Sequence, residues 1–211
     1  MSGSSSSECA RIVRILNRHY GHIPWWPGDT DEVLIGAVLT QQTRWENVVR
    51  ALALLKERSL CSVAALYEAD HAEIENAIRS TGFYRVKTRR LKALATFVMR
   101  EYGGPGPMAE YPTELLRVGL LRVSGIGEET ADSILCYGFH RTSFVIDAYT
   151  HHICGCAGIP EQKSRLKALF EDILLPDQDT YRQTHAHIVE YAKEYCGKKR
   201  CETCILMNSN G

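Results

Sequence analysis

The 211-residue chain has no run of about 18 apolar residues, the length a helix needs to cross a bilayer, so a membrane-spanning helix is excluded. Its start, Met1-Ser2-Gly3 and four more serines, lacks the basic and apolar regions of a secretory signal, which points to a cytoplasmic protein with a loose N-terminal tail. Net charge is also lacking: 25 Lys and Arg face 25 Asp and Glu, so contact with a polyanion must come from a local patch. No segment repeats at a fixed period. Without a secretory signal, the 8 cysteines read as reduced thiols or metal ligands rather than disulfides. What remains is a mostly helical chain, long enough for one domain or two small lobes with a real core.

What is present is arranged around residues 120–152. Gly125-Ile126-Gly127 forms a tight turn between two helical patterns. Leu115, Leu116 and residues 119–121 precede it; Ala131, Ile134, Leu135 and Phe139 follow at helical spacing. Glycine tolerates positive φ and lets a backbone approach another molecule closely. The turn leads into a helix start at residues 128–130, where N–H groups can hold a phosphate oxygen. An ordinary helical corner has the same pattern. This one is followed by a β-like run at 143–146 and then Asp147 opening another helical pattern. The stretch reads as a DNA-binding hairpin followed by a catalytic carboxylate.

Elsewhere the periodicity predicts helices over 8–20, from an Asp29–Thr30 cap through Val38, over 44–58, 62–68 and 72–79, from 85 through Val98, and over 147–155, 164–174 and 181–195. Loops are expected at 25–28, around Pro27, and at 102–112, with a break at Gly158-Ile159-Pro160. Trp25, Trp26 and Trp45 either cover the core or offer faces on which a base can stack. Gln41 is either a solvated amide or a group able to bond an orphaned base. Residues 85–92 carry five cations, either a solvated face or phosphate contacts beside the loop that holds Phe83. His185 and His187, two apart on a helix, do not face each other as a metal pair. Cys196, Cys201 and Cys204 have the tight spacing of a tetrahedral metal or iron–sulfur site, which prefers four thiolates. No cysteine follows them; Cys9, Cys154 and Cys156 stand as remote candidates, and loss of the site is the alternative.

On these residues the chain resembles the helix-hairpin-helix DNA glycosylases of the endonuclease III superfamily, over roughly Trp25 to Cys204. The likeness is carried by Val123-Ser-Gly-Ile-Gly-Glu-Glu-Thr-Ala131, by Val145-Ile-Asp147-Ala-Tyr149 and by the cysteine tail. It implies an all-α, two-lobed helix-hairpin-helix glycosylase fold. A six-helix domain at 28–139 ends in the motif, a second helical lobe is made from 1–27 and 140–211, and the active site lies in the cleft between them. It further implies Asp147 as the catalytic aspartate, and Gly125, Ile126 and Gly127 as the phosphate-gripping hairpin. Gln41 becomes the amide that enters the vacated stack and Phe83 the other wedge. Cys196, Cys201 and Cys204 become three ligands of a [4Fe-4S] cluster. The motif is incomplete there: its first spacing is shorter than the family's, and Asn210 stands where the fourth cysteine is expected.

Strand-cleaving members carry a lysine in the hairpin helix, and here that position is Glu129, preceded by Glu128. A carboxylate cannot form a Schiff base, while acids at a helix start suit the macrodipole. The resemblance therefore implies a monofunctional glycosylase in which Asp147 activates a water or stabilises the cationic sugar. Trp25-Trp26-Pro27, residues 39–43 with Trp45, and the hairpin helix look most like the 3-methyladenine branch, which stacks alkylated purines between aromatic rings. Such electron-poor bases stack well on indole, so Trp25, Trp26 and Trp45 are the expected pocket. The implied partner is double-stranded DNA with a damaged base, bound by a monomer. Two alternatives stand beside this reading: an endonuclease III-like glycosylase and AP lyase acting on oxidised pyrimidines through another lysine, and a non-catalytic module that binds damaged DNA.

Overall fold

The computed structural model describes residues 2–26, 28–159 and 162–208. Pro27, Pro160 and Asn210, read above as a turn, a helix break and the missing ligand position, lie outside them. The fold is all-α, with no strand among the described residues. In chain order the helices are α1 (Ser2–His19), α2 (Thr30–Leu39), α3 (Trp45–Glu57), α4 (Val63–Glu68), α5 (His71–Ile78), α6 (Tyr84–Tyr102), α7 (Pro105–Met108), α8 (Thr113–Arg122), α9 (Glu128–Ser133), α10 (Ala148–Cys156), α11 (Lys163–Ile173), α12 (Gln178–Tyr191) and α13 (Ile205–Asn208). π-helical turns prolong α9 over Ile134–Gly138 and α12 over Ala192–Cys196. Among the described residues no helix is long and apolar enough to cross a membrane. The chain divides into two compact units, residues 26–140 and residues 1–25 with 141–211.

In the 26–140 unit the helices start where short polar side chains satisfy orphan N–H groups. Asp29 accepts from the Glu32 N–H at 2.9 Å, Ser62 Oγ from Ala65 at 3.1 Å, and Asp70 with Glu73 forms a capping box. α2 is the axis of the unit. Its residues 33–39 are all buried, and a helix that is apolar all round needs neighbours on every side. Val48, Leu52 and Leu55 of α3, Leu91, Leu94 and Val98 of α6, and Leu135 complete that core. Full burial of each such side chain contributes about 1.5–3 kcal/mol. The expected 102–112 loop contains α7, one turn started by Pro105, whose fixed φ suits a first helical position.

The cation run of α6 departs from the expected outward face. Arg85 and Arg89 are exposed, but Lys87 is 1% exposed and donates to the Leu39 and Thr81 carbonyls, both at 2.9 Å. Burial, reinforced by the Arg90 charge, pushes the Lys87 ammonium down to about 8. Lys92 donates to the Tyr67 and Ala69 carbonyls at 2.7 and 2.9 Å. The ends of α2 and α4 leave carbonyls without helical partners, and these lysines reach them.

The other unit packs Cys9, Ile12 and Leu16 of α1 with Leu166 and Phe170 of α11 and Ile188 and Tyr191 of α12. The serines expected as a loose tail instead continue α1 back to Ser2. Once Ile12 and Leu16 anchor the helix, each added residue gains a hydrogen bond without a new nucleation cost.

Candidate active site

The hairpin is built in the 26–140 unit. α8 ends at Arg122, Val123 and Ile126 plug the turn at 8% and 5% exposure, and Gly125 takes φ +86, which favours glycine. A Cβ on Gly125 would collide with the Arg90 side chain, whereas one on Gly127 meets nothing within 4 Å. One side of the loop is therefore braced and the other open to close approach. Arg117 of α8 clamps Asp132 of α9 through two hydrogen bonds of 2.8 and 3.1 Å, a bidentate geometry that sets the angle of the two helices. Glu129 is exposed on α9.

Gln41 is bound into this loop. Its Nε2 donates to the Gly125 carbonyl at 3.1 Å and to Thr130 Oγ1 at 3.0 Å, and its Oε1 accepts from Arg90. The expected free amide is thus engaged at both ends, because a side chain at this helix end points back at the hairpin. The neighbouring Gln42 is exposed at φ +54, and Phe83, 66% exposed, has φ +46 at the start of α6. Left-handed backbone on non-glycine residues is strained and concentrates where side chains must be presented. Sequence reading singled out Gln41 alone, because two adjacent glutamines look alike until the end of α2 fixes which one faces out.

The three tryptophans separate. Trp26, at φ +46, packs edge-to-face on Trp45 at 5.2 Å, faces Tyr137 at 5.8 Å, and lies so close to Gly36 that a Cβ there would overlap its ring. Its indole N–H is buried and bonds no acceptor among the described residues. Trp45 is 38% exposed. Trp25 belongs to the other unit, where its ring meets His185 edge-on at 5.9 Å and the Lys193 ammonium at 5.7 Å.

Asp147 lies in that other unit, at the end of an extended, buried segment rather than a strand. Phe144 stacks on Phe170 at 4.7 Å, its N–H donates to Glu171 at 2.9 Å, and Lys167 donates to the Ser143 hydroxyl and Phe144 carbonyl, both at 2.9 Å. This anchoring delivers Asp147 as the N-cap of α10. Its Oδ1 accepts from the Thr150 N–H at 2.7 Å and hydroxyl at 2.8 Å, and its Oδ2 lies 3.5 Å from His185 Nε2. Burial alone would push the carboxyl up. The charge and contact of His185, with the two Thr150 bonds, outweigh it and hold Asp147 below the usual carboxylate range. His185 was missed as a site residue; its signal was a buried polar position on the apolar stripe of α12, which requires a partner.

Among the described residues no three His, Cys, Asp or Glu side chains are grouped to hold a metal ion. Cys204 is 9% exposed and lies 3.0 Å from the Tyr191 hydroxyl, while Cys201 is exposed. Burial, then the charges of Cys156, Cys204 and Cys201, push the Cys196 thiol up, so Cys156 is the remote cysteine nearest to the tail electrostatically. Cys9 and Cys154 contact each other in the core.

Residues 35–176 match the family described as HhH-GPD superfamily base excision DNA repair protein. A protein of Methanocaldococcus jannaschii, provisionally named a DNA repair glycosylase, is 41% identical over 203 residues, covering 93% of this chain and 92% of its own. Endonuclease III of Thermotoga maritima is 29% identical over 186 residues, 85% of this chain and 82% of its own. Among solved structures, H. pylori 3-methyladenine DNA glycosylase bound to 1,N6-ethenoadenine is similar with a TM-score of 0.79 and 27% identity, over 90% of this chain and 97% of that one. A non-covalent endonuclease III–DNA complex shares the fold, with a TM-score of 0.78 and 20% identity over 96% and 93% of the two chains.

Proposed function

We propose, from the premise that this chain belongs to the HhH-GPD superfamily of base excision DNA repair proteins and is a DNA glycosylase, that it acts as a monomer and without strand cleavage. It releases an alkylated purine from duplex DNA and leaves an abasic site. Two observations carry this reading, each within its own unit: Asp147 is buried and held below the usual carboxylate range, and position 129 of the hairpin helix is a glutamate. As the bond from C1′ to the base nitrogen breaks, its electron pair leaves with the base and the sugar becomes cationic. Asp147 stabilises that charge, water adds at C1′, and the carboxylate accepts the proton the water releases. An alkylated purine is already a good leaving group, so one carboxylate suffices.

Gly125, Ile126 and Gly127 grip the phosphate backbone. Gln42, rather than Gln41, enters the vacated stack, with Phe83 as the second wedge. Trp26 and Trp45 supply indole faces for the base; a purine as that base is supported by the H. pylori relative's complex with 1,N6-ethenoadenine. Among the described residues the tail thiols are not grouped to hold a [4Fe-4S] cluster, and no step is routed through one.

A strand-cleaving reading is favoured by relatives that bear the name endonuclease III. It needs an amine nucleophile. Lys87 has the most suitable chemistry, with its ammonium pushed down to about 8 by burial, but its Nζ is held by two carbonyls. One assay separates the readings. Duplexes carrying a methylated purine or an oxidised pyrimidine are incubated with the protein, with and without later alkali. Breaks in the methylated duplex that appear only after alkali are expected; breaks without alkali that borohydride traps as a covalent adduct would overturn monofunctional action. Tight binding with no base released from either duplex would favour a binding module.

A further inference from the structure

One partner of the buried carboxylate comes from outside the hairpin–aspartate motif. His185, on α12, is 5% exposed, and its Nε2 is 3.5 Å from Asp147 Oδ2. Its ring is held edge-on by Trp25 at 5.9 Å and by Phe144 at 6.5 Å, so the imidazole is fixed by packing. The first carboxylate oxygen is already occupied by Thr150. We propose that His185 is a positioning residue for the glycosylase reaction, holding the second oxygen of Asp147 so that the carboxylate keeps both its plane and its charge in an apolar surrounding. The proposal rests on the reading of Asp147 as the catalytic carboxylate.

Three uncharged groups also pack against the pair: Thr150 from α10, the Phe144 ring from the extended segment and the Trp25 ring from the chain after α1. The cations next along the chain engage elsewhere. Arg182 bonds Asp179 at 2.6 Å and the Trp25 carbonyl at 3.4 Å, and Lys193 bonds Glu190 at 2.7 Å and covers the Trp25 ring. The charge and contact of His185 favour the ionised Asp147 carboxyl, which lies below the usual carboxylate range. A buried carboxyl without such a partner takes up a proton well above its ordinary range. Once protonated it neither stabilises a cationic sugar nor accepts a proton from water.

The test is the pH profile of single-turnover excision from a methylated-purine duplex. His185→Gln keeps polar contact but loses the charge. Its acid limb is expected to move up by about one pH unit or more, a loss of about tenfold on the acid side of the wild-type limb, with most activity regained at neutral pH. A uniform drop with an unmoved limb would overturn the proposal and leave His185 a packing residue. A second measurement needs no variant: the Asp147 carboxyl carbon is followed by NMR titration of the wild-type protein. A midpoint below the ordinary carboxylate range is expected, and a midpoint at or above that range would overturn the coupling. Full excision by Asp147→Asn would instead overturn the assignment of the catalytic carboxylate, whatever the titration shows.

Discussion

Around the hairpin, Phe83 is 66% exposed, and both it and Gln42 hold positive φ with their side chains presented outward. Around Asp147 the carboxylate is 9% exposed, caps a helix and has a neighbour at each oxygen. The hairpin region keeps strain and open space, as a surface that must part a stacked duplex requires. The aspartate region keeps saturation and burial, as a charge that must survive without water requires. The same chain thus solves two problems with opposite means. In the proposed function the exposed groups are those that meet DNA, and the group that meets the sugar is the one with a neighbour at each oxygen.

The comparison breaks most visibly if the held carboxylate is changed without being unfolded. Asn is as good an N-cap as Asp, so Asp147→Asn should fold normally and bind DNA as before, while excision slows by about 10²–10⁴-fold in single-turnover assays. Substantial excision by this variant would move the chemistry to another group. Next in size is Gly125→Ala, which must hold positive φ and displace Arg90. Thermal unfolding should show a loss of about 1–3 kcal/mol with weaker binding to any duplex, damaged or not. An unchanged melting temperature would mean the brace on Gly125 is dispensable. The smallest effects sharpen the contrast between the two glutamines. Gln41→Ala should cost about 1 kcal/mol of stability through its lost hydrogen bonds. Gln42→Ala should leave stability within about 0.5 kcal/mol and lower affinity for a lesion duplex relative to an undamaged one. The reverse pattern would restore Gln41 as the residue that enters the stack.

Much of the fold was legible because it is written in local signals. Asp29 and Ser62 mark helix starts, Gly125 marks the turn, and the apolar period of α3 and α6 marks their buried faces. Asp147 was legible for the same reason, since a polar residue between an apolar extended run and a helical pattern is an N-cap. What local signals cannot carry is direction. The cations of α6 looked like a solvated stripe, yet Lys87 and Lys92 turn inward to carbonyls supplied by distant helix ends. Trp25 and Trp26 looked like one aromatic pair, yet the left-handed backbone at Trp26 sends them to separate clusters. His185 is joined to Asp147 only through tertiary packing, and nothing in its own neighbourhood of sequence names that partner.

The division of the chain also orders its folding in time. The 26–140 unit is one uninterrupted segment, so every internal contact it makes is available before residue 141 is synthesised. The other unit is assembled from both sides of that segment: Ile12 and Leu16 are made before it, while Phe170 and Tyr191, which cover the same core, are made after it. During synthesis α1 therefore emerges as an amphipathic helix whose apolar stripe waits for most of the chain, and the pocket that holds Asp147 is completed only with α12.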